Sequence, residues 1–239
     1  MSSKVYSIST RKLPSNHFTM KSIKAWSLVS LLMAMMSNPG LAQSPEIKVD
    51  LTSTDVLSQG QTGTCWSFST TSFLESESHR ITSELHDFSE MAAVRVVYPE
   101  KVERYVRYQG KHQFGPGGLS HDVTHAAEVY GLVPQSVYGG GQEQGSYNHG
   151  ALDASLEALA KTMVDQSGKI APESFDAVEG VLDAHLGSLP DSFEYEGKSY
   201  TPGSFRDAMG IVPSAYVTMT SFTHHPFGLP FVLEVPDNH

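Results

Sequence analysis

Gln59-Gly60-Gln61-Thr62-Gly63-Thr64-Cys65-Trp66-Ser67-Phe68 is the stretch on which the fold turns. Two glycines punctuate a polar run that enters a helix predicted from Cys65 to about Arg80. The sole cysteine of the chain therefore stands in a first helical turn. N–H groups in such a turn lack intrahelical acceptors, and together with the helix dipole they favour a thiolate. A thiolate is the nucleophile of acyl transfer through a thioester. Gln59, six residues upstream, carries an amide that can donate toward the oxygen that turns negative during attack. One such donor lowers the barrier by about 3–4 kcal/mol. A buried, inert cysteine ahead of a helix fits the same local pattern, so the surrounding residues must decide.

Downstream of Cys65 the predicted helix is rich in small residues (Ser67, Ser69, Thr70, Thr71, Ser72), which allow close packing, with Phe68, Phe73 and Leu74 assigned to the core. Glu75 and Glu77 read as surface acids. Asp87-Phe88-Ser89-Glu90 has capping-box spacing before a helical repeat of Met91, Val94, Tyr98, Val102 and Tyr105, which Pro99 should kink or divide. Ser120 is expected to cap a third helix that Gly131 ends. Gly139-Gly140-Gly141 reads as a mobile boundary. Helices follow at about 151–166 and 173–187, then a hairpin over Phe193–Tyr200, then the Thr201-Pro202 helix start. Tyr216 to Phe222 and Phe231 to Val235 read as strands. Helices first and strands last give an α+β class, and a chain that stops straight after an apolar strand reads as unfinished.

The remaining composition narrows the partners. The 239 residues carry 16 Lys+Arg against 26 Asp+Glu, a formal net charge of −10. Residues 1–42 hold five basic side chains and no acid, so residues 43–239 carry a net −15. A surface that acidic repels phosphate backbones and anionic bilayers, which argues against nucleic acid and membrane surfaces as partners. One cysteine excludes an intrachain disulfide framework and any Cys-rich zinc site. Met20-Lys21-Ser22-Ile23-Lys24, an apolar run from Ala25 to Met36, and small residues Gly40 and Ala42 after a Pro39 break make a secretory signal. The run is short for a membrane span of about 20 residues. Residues 1–42 are thus expected to be a leader, with translation starting at Met20, and residues 43–239 an exported, periplasmic or extracellular domain with no membrane anchor after cleavage. Ile47-Val49-Leu51 alternates as an edge strand.

The ten residues quoted first resemble the active-site loop of papain-like cysteine peptidases, with Gln, Gly, Gly, Cys, Trp and Phe at matching offsets. The resemblance implies Cys65 as nucleophile, Gln59 as oxyanion donor and Trp66 as a wall of the site. It implies hydrolysis of peptide bonds in a peptide or protein substrate, with no cofactor and no metal. Thr62 stands where secreted papain-type enzymes commonly have a disulfide cysteine. With no other Cys, the chain looks more like the aminopeptidase C and bleomycin hydrolase branch. Gly115-Pro116-Gly117-Gly118-Leu119 resembles that family's Gly-Gly turn, which implies Gly117 and Gly118 as substrate-binding positions. Paired glycines let an extended peptide approach the main chain, although a plain loop reads equally well.

Thiol peptidase chemistry needs an imidazole to move the proton and an Asn or Asp to orient it. In compact papain-type chains these fall about 130–150 residues after the cysteine. That window, 195–215, contains no histidine. His224 and His225 lie just past it, before Pro226, in the context of a loop. The resemblance thus covers the helical half with the nucleophile helix, with an incomplete β half, and the base and its Asn are expected beyond residue 239. His121 and His125 share a helix face with Asp122 and Glu128 nearby, a spacing that a solvated face also produces. Two further readings remain: a catalytically inactive, peptide-binding pseudo-peptidase, and a transglutaminase-like acyl transferase whose loop would lack the Gln-to-Cys offset. Substrate preference, endo- versus aminopeptidase action and oligomeric state are not written in the sequence.

Overall fold

The computed structural model describes residues 52–141, 146–166, 171–219, 223 and 225–231. The leader and the Ile47-Val49-Leu51 strand lie outside the described residues. Helix α1 spans Cys65–Thr82, α2 Glu90–Arg107, α3 Ser120–Val129, α4 Gly150–Asp165 and α5 Glu173–Leu186. A hairpin of β1 (Phe193–Tyr195) and β2 (Lys198–Tyr200) then leads into the short helix α6 (Pro202–Ala208) and a 3-10 turn at Pro213–Ala215. The described residues are mainly helical with one small antiparallel sheet, an α+β arrangement.

The central helix is α2, which packs against α1, α3, α4 and α5. Its stripe of Met91, Val94, Tyr98, Val102 and Tyr105 is buried, and each large apolar side chain removed from water stabilises by about 1.5–3 kcal/mol. The Ser89 hydroxyl, rather than Asp87, caps α2 by accepting from the Ala92 N–H at 3.1 Å. The helix runs undivided through Pro99. Arg95, itself buried, donates to Glu179 at 2.5 Å and Asp183 at 2.7 Å and so ties α2 to α5. Helix α4 presents Leu152, Leu156, Ala160 and Met163 on one face, and α5 presents Val178, Leu182 and Leu186.

Helix α1 is held differently. Ser67, Thr70, Thr71 and Ser78 are buried, so close approach comes from small side chains whose hydroxyls find carbonyls. Ser67 Oγ donates to Glu90 O at 2.7 Å, and Ser78 Oγ donates to Met209 O at 3.0 Å. Leu74 is fully buried, whereas Phe73 is 52% exposed and does not enter the core. Glu75 is the other correction on this helix: it is buried, because its carboxylate accepts from the Phe88 N–H at 2.8 Å and from the Thr54 hydroxyl. Glu77 is the surface acid expected, paired with Arg80 at 2.7 Å.

Three further expectations are revised. Ser120 is the first residue of α3 rather than its cap, and the Asp122 carboxylate instead accepts from the Leu119 N–H at 2.7 Å. Gly139–Gly141 is no boundary, since a side chain on Gly140 would collide with Met91 and one on Gly141 with the His185 carbonyl. Tyr216–Met219 and Phe231 are not in strands, and the rest of both predicted strands lies outside the described residues. An extended segment becomes a strand only when a neighbour takes its backbone groups. The hairpin does form, because its Phe193, Tyr195 and Tyr200 rings and Phe88 close edge-on around the fully buried Phe205 of α6.

Candidate functional site

Cys65 is the first residue of α1 and is exposed. The loop before it is laced by its own side chains. Gln59 Nε2 donates to the Thr62 carbonyl at 2.6 Å, and Thr62 Oγ1 returns a bond to the Gln59 carbonyl at 2.9 Å. The Thr62 and Thr64 hydroxyls are 2.6 Å apart. Thr62 thus fixes the loop by hydrogen bonds. On the other side, Gln61 pairs with the segment before α4, its N–H donating to Tyr147 O at 2.8 Å and its carbonyl accepting from the His149 N–H at 3.1 Å.

Trp66 turns inward at 5% exposure, and its indole Nε1 donates to the Pro116 carbonyl at 2.9 Å. A Cβ built on Gly118 would lie 2.7 Å from ring carbons of Trp66, and one on Gly63 would lie 2.4 Å from Pro116 Cγ. Each loop therefore contributes one glycine where the other presses on it. Gly117 is exposed, and a side chain there would meet nothing within 4 Å. The structure thus locks the loop that precedes Cys65 against the Gly115–Gly118 turn, through Trp66 and Gly63.

Beneath the glycine loop lies Lys101 of α2, 2% exposed. Its ammonium donates to the Gly115 carbonyl at 3.2 Å and to the Gly117 carbonyl, and lies 5.9 Å from the ring centroids of both Trp66 and Tyr98. Burial pushes its pKa down to about 8, with Arg104 adding to the shift and Asp122 and Asp153 opposing it. Sequence reasoning passed over Lys101. The available signal was a cation inside the apolar stripe formed by Tyr98, Val102 and Tyr105.

Several imidazoles are engaged away from the Cys65 loop. His86 is buried against Tyr195, His125 pairs with Glu100 of α2 at 2.9 Å, and His225 stacks on Phe231 with centroids 3.9 Å apart. His224 lies outside the described residues. His149 is buried with both ring nitrogens unbonded among the described residues, and burial pushes its pKa down to about 4. Asp122 uses its carboxylate on the start of α3, and no cluster of three metal-ligating side chains occurs among the described residues. Glu90, also missed, is 3% exposed with its Oε2 unbonded. Burial first, then the Glu75 and Asp87 charges, push its pKa up to about 7.

No family model matches this chain, and no curated protein does. Among solved structures, PepW from Lactobacillus rhamnosus HN001 superposes with a TM-score of 0.54 at 19% sequence identity. The match covers 81% of this chain and 56% of PepW, so the chain spans little more than half the length of that neighbour. At this identity the likeness is one of fold.

Proposed function

We propose that this chain is the helical, nucleophile-bearing part of a papain-like cysteine peptidase of the aminopeptidase C and bleomycin hydrolase type, exported after loss of residues 1–42. The observation that carries the reading is an exposed Cys65 at the first position of α1, preceded by a loop in which the Thr62 carbonyl fixes the Gln59 amide. The fold likeness to PepW supports it.

In this reading Cys65 Sγ attacks the carbonyl carbon of a peptide bond. The Gln59 amide holds one N–H on Thr62 and offers its second to the oxygen that becomes negative. The leaving amine takes a proton, the acyl group stays on sulfur as a thioester, and water releases the acid and restores the thiol. Gly117 and Gly118 receive the substrate backbone, which requires a surface free of side chains, and Trp66 holds that surface in place. The proton carrier is an imidazole from outside the described residues. Without it, the same surface binds a peptide and leaves it uncut.

The test is stoichiometric labelling by a peptidyl epoxide. Modification of Cys65, blocked by excess peptide and absent in Cys65→Ala, is the expected result. Labelling that peptide does not slow would remove the reading. Turnover of an aminoacyl amide by the same preparation separates the peptidase from the peptide-binding form.

A further inference from the structure

Three successive carbonyl oxygens, those of Gly115, Pro116 and Gly117, are all taken by side chains from below the loop. Lys101 donates to the first and third, and Trp66 Nε1 to the second. The two donors touch each other as well, since the ammonium lies 5.9 Å from the indole centroid. A buried cation is costly unless it is solvated by the protein, and here the solvation comes from two loop carbonyls, two aromatic faces and the nearby carboxylates of Asp122 and Asp153. Removing the ammonium would release the first and third carbonyls together and leave only the second, that of Pro116, held by the Trp66 indole. Among the described residues the N–H groups of Gly117 and Gly118 donate to no protein acceptor. Those are the groups an extended peptide would use.

We propose that Lys101 is a positioning residue that clamps the Gly115–Gly118 loop onto Trp66, and so sets the geometry in which peptide backbone is received next to Cys65. Lys101 touches neither sulfur nor substrate in this scheme. Its effect falls on binding, and the chemical step at Cys65 is left alone. The peptide role rests on the peptidase reading of the chain, while the clamp itself does not.

The experiment compares Lys101→Met, which keeps the length and loses the charge, with Lys101→Gln, which keeps an N–H donor. Three quantities are read on the full chain: hydrogen exchange of the Trp66 indole N–H, affinity for a short peptide in a Cys65→Ala background, and the iodoacetamide labelling rate of Cys65. In Lys101→Met the indole N–H should exchange at least about tenfold faster and the peptide Kd rise by at least about tenfold. Labelling of Cys65 should stay within about twofold, because the interaction lost is one of binding. Lys101→Gln should recover part of both losses. Unchanged indole exchange in Lys101→Met overturns the clamp. So does loss of amide protection throughout α1 and α2 in both variants, which would assign Lys101 to the fold at large. If the unsubstituted chain binds no peptide, the peptidase reading fails, and indole exchange still decides the clamp.

Discussion

The Gln59 side-chain amide and the Thr62 carbonyl are 2.6 Å apart, joined by a bond that spans the turn leading to Cys65. An amide tethered by one hydrogen keeps the other on a fixed bearing, which a freely rotating glutamine would not.

Loss of that donor should act on the chemical step. In an active preparation Gln59→Ala is expected to lower kcat by about 10²–10³ with a much smaller change in KM. Steady-state kinetics on a peptide amide check this, and an unchanged kcat would remove Gln59 from the oxyanion role.

Thr62 should matter for the loop and for stability. Thr62→Val keeps the shape and removes a hydroxyl that reaches both the Gln59 carbonyl and Thr64. At about 1 kcal/mol per net hydrogen bond, the loss is about 1–2 kcal/mol. That corresponds to a fall in Tm of about 2–8 °C by calorimetry, with slower epoxide labelling of Cys65.

The two glycines of the turn should differ in their effect on stability. Gly118→Ala places a methyl against the Trp66 ring at 2.7 Å, whereas Gly117→Ala meets open space within the chain. Gly118→Ala is therefore expected to lower Tm and peptide affinity together. Gly117→Ala should leave Tm within about 2 °C, since surface substitutions away from such contacts change stability by less than about 0.5 kcal/mol, and should weaken peptide binding alone. Paired melting curves and isotherms on the two variants make the comparison.

Two buried groups give stability opposite slopes with pH. Burial raises the Glu90 carboxyl from 4.5 to about 7. The folded state then holds more protons than the unfolded state between those values, and stability is lost as pH rises through the window. His149 is lowered by burial from 6.5 to about 4, so the unfolded state holds more protons there and stability is lost as pH falls. Each effect is at most about 3 kcal/mol. Glu90→Gln should melt several degrees higher than the parent at pH 8, and the gap should close by pH 5. His149→Phe should show the reverse, a gain confined below about pH 6. Thermal scans from pH 4 to 8 test both, and parallel curves for all three proteins would refute the assignments.

The parts legible in the sequence are those whose signal is local. Thr201-Pro202 caps and opens α6 as its chemistry requires, and the alternation around Gly197 gives the β1–β2 hairpin. Within the Gln59–Cys65 loop only the Gln59–Thr62 and Thr62–Thr64 bonds are local in this way, whereas Trp66 finds its acceptor fifty residues on. What stayed hidden depends on distant partners. Glu75 looks like any helical acid until the Phe88 N–H, thirteen residues on, takes its carboxylate. Lys101 looks like a solvated cation until carbonyls fourteen and sixteen residues later close over it. Tyr216–Phe222 has strand composition, but composition supplies no neighbouring strand, and Tyr216–Met219 lies outside any strand.

Trp66 is the sole tryptophan after residue 42, and its ring lies directly under the turn at Gly118 while its nitrogen holds Pro116. Residues 43–239 therefore carry a built-in optical gauge. Any molecule that presses on, lifts or dries that turn changes the surroundings of one indole, so emission intensity and colour report its arrival with no label attached.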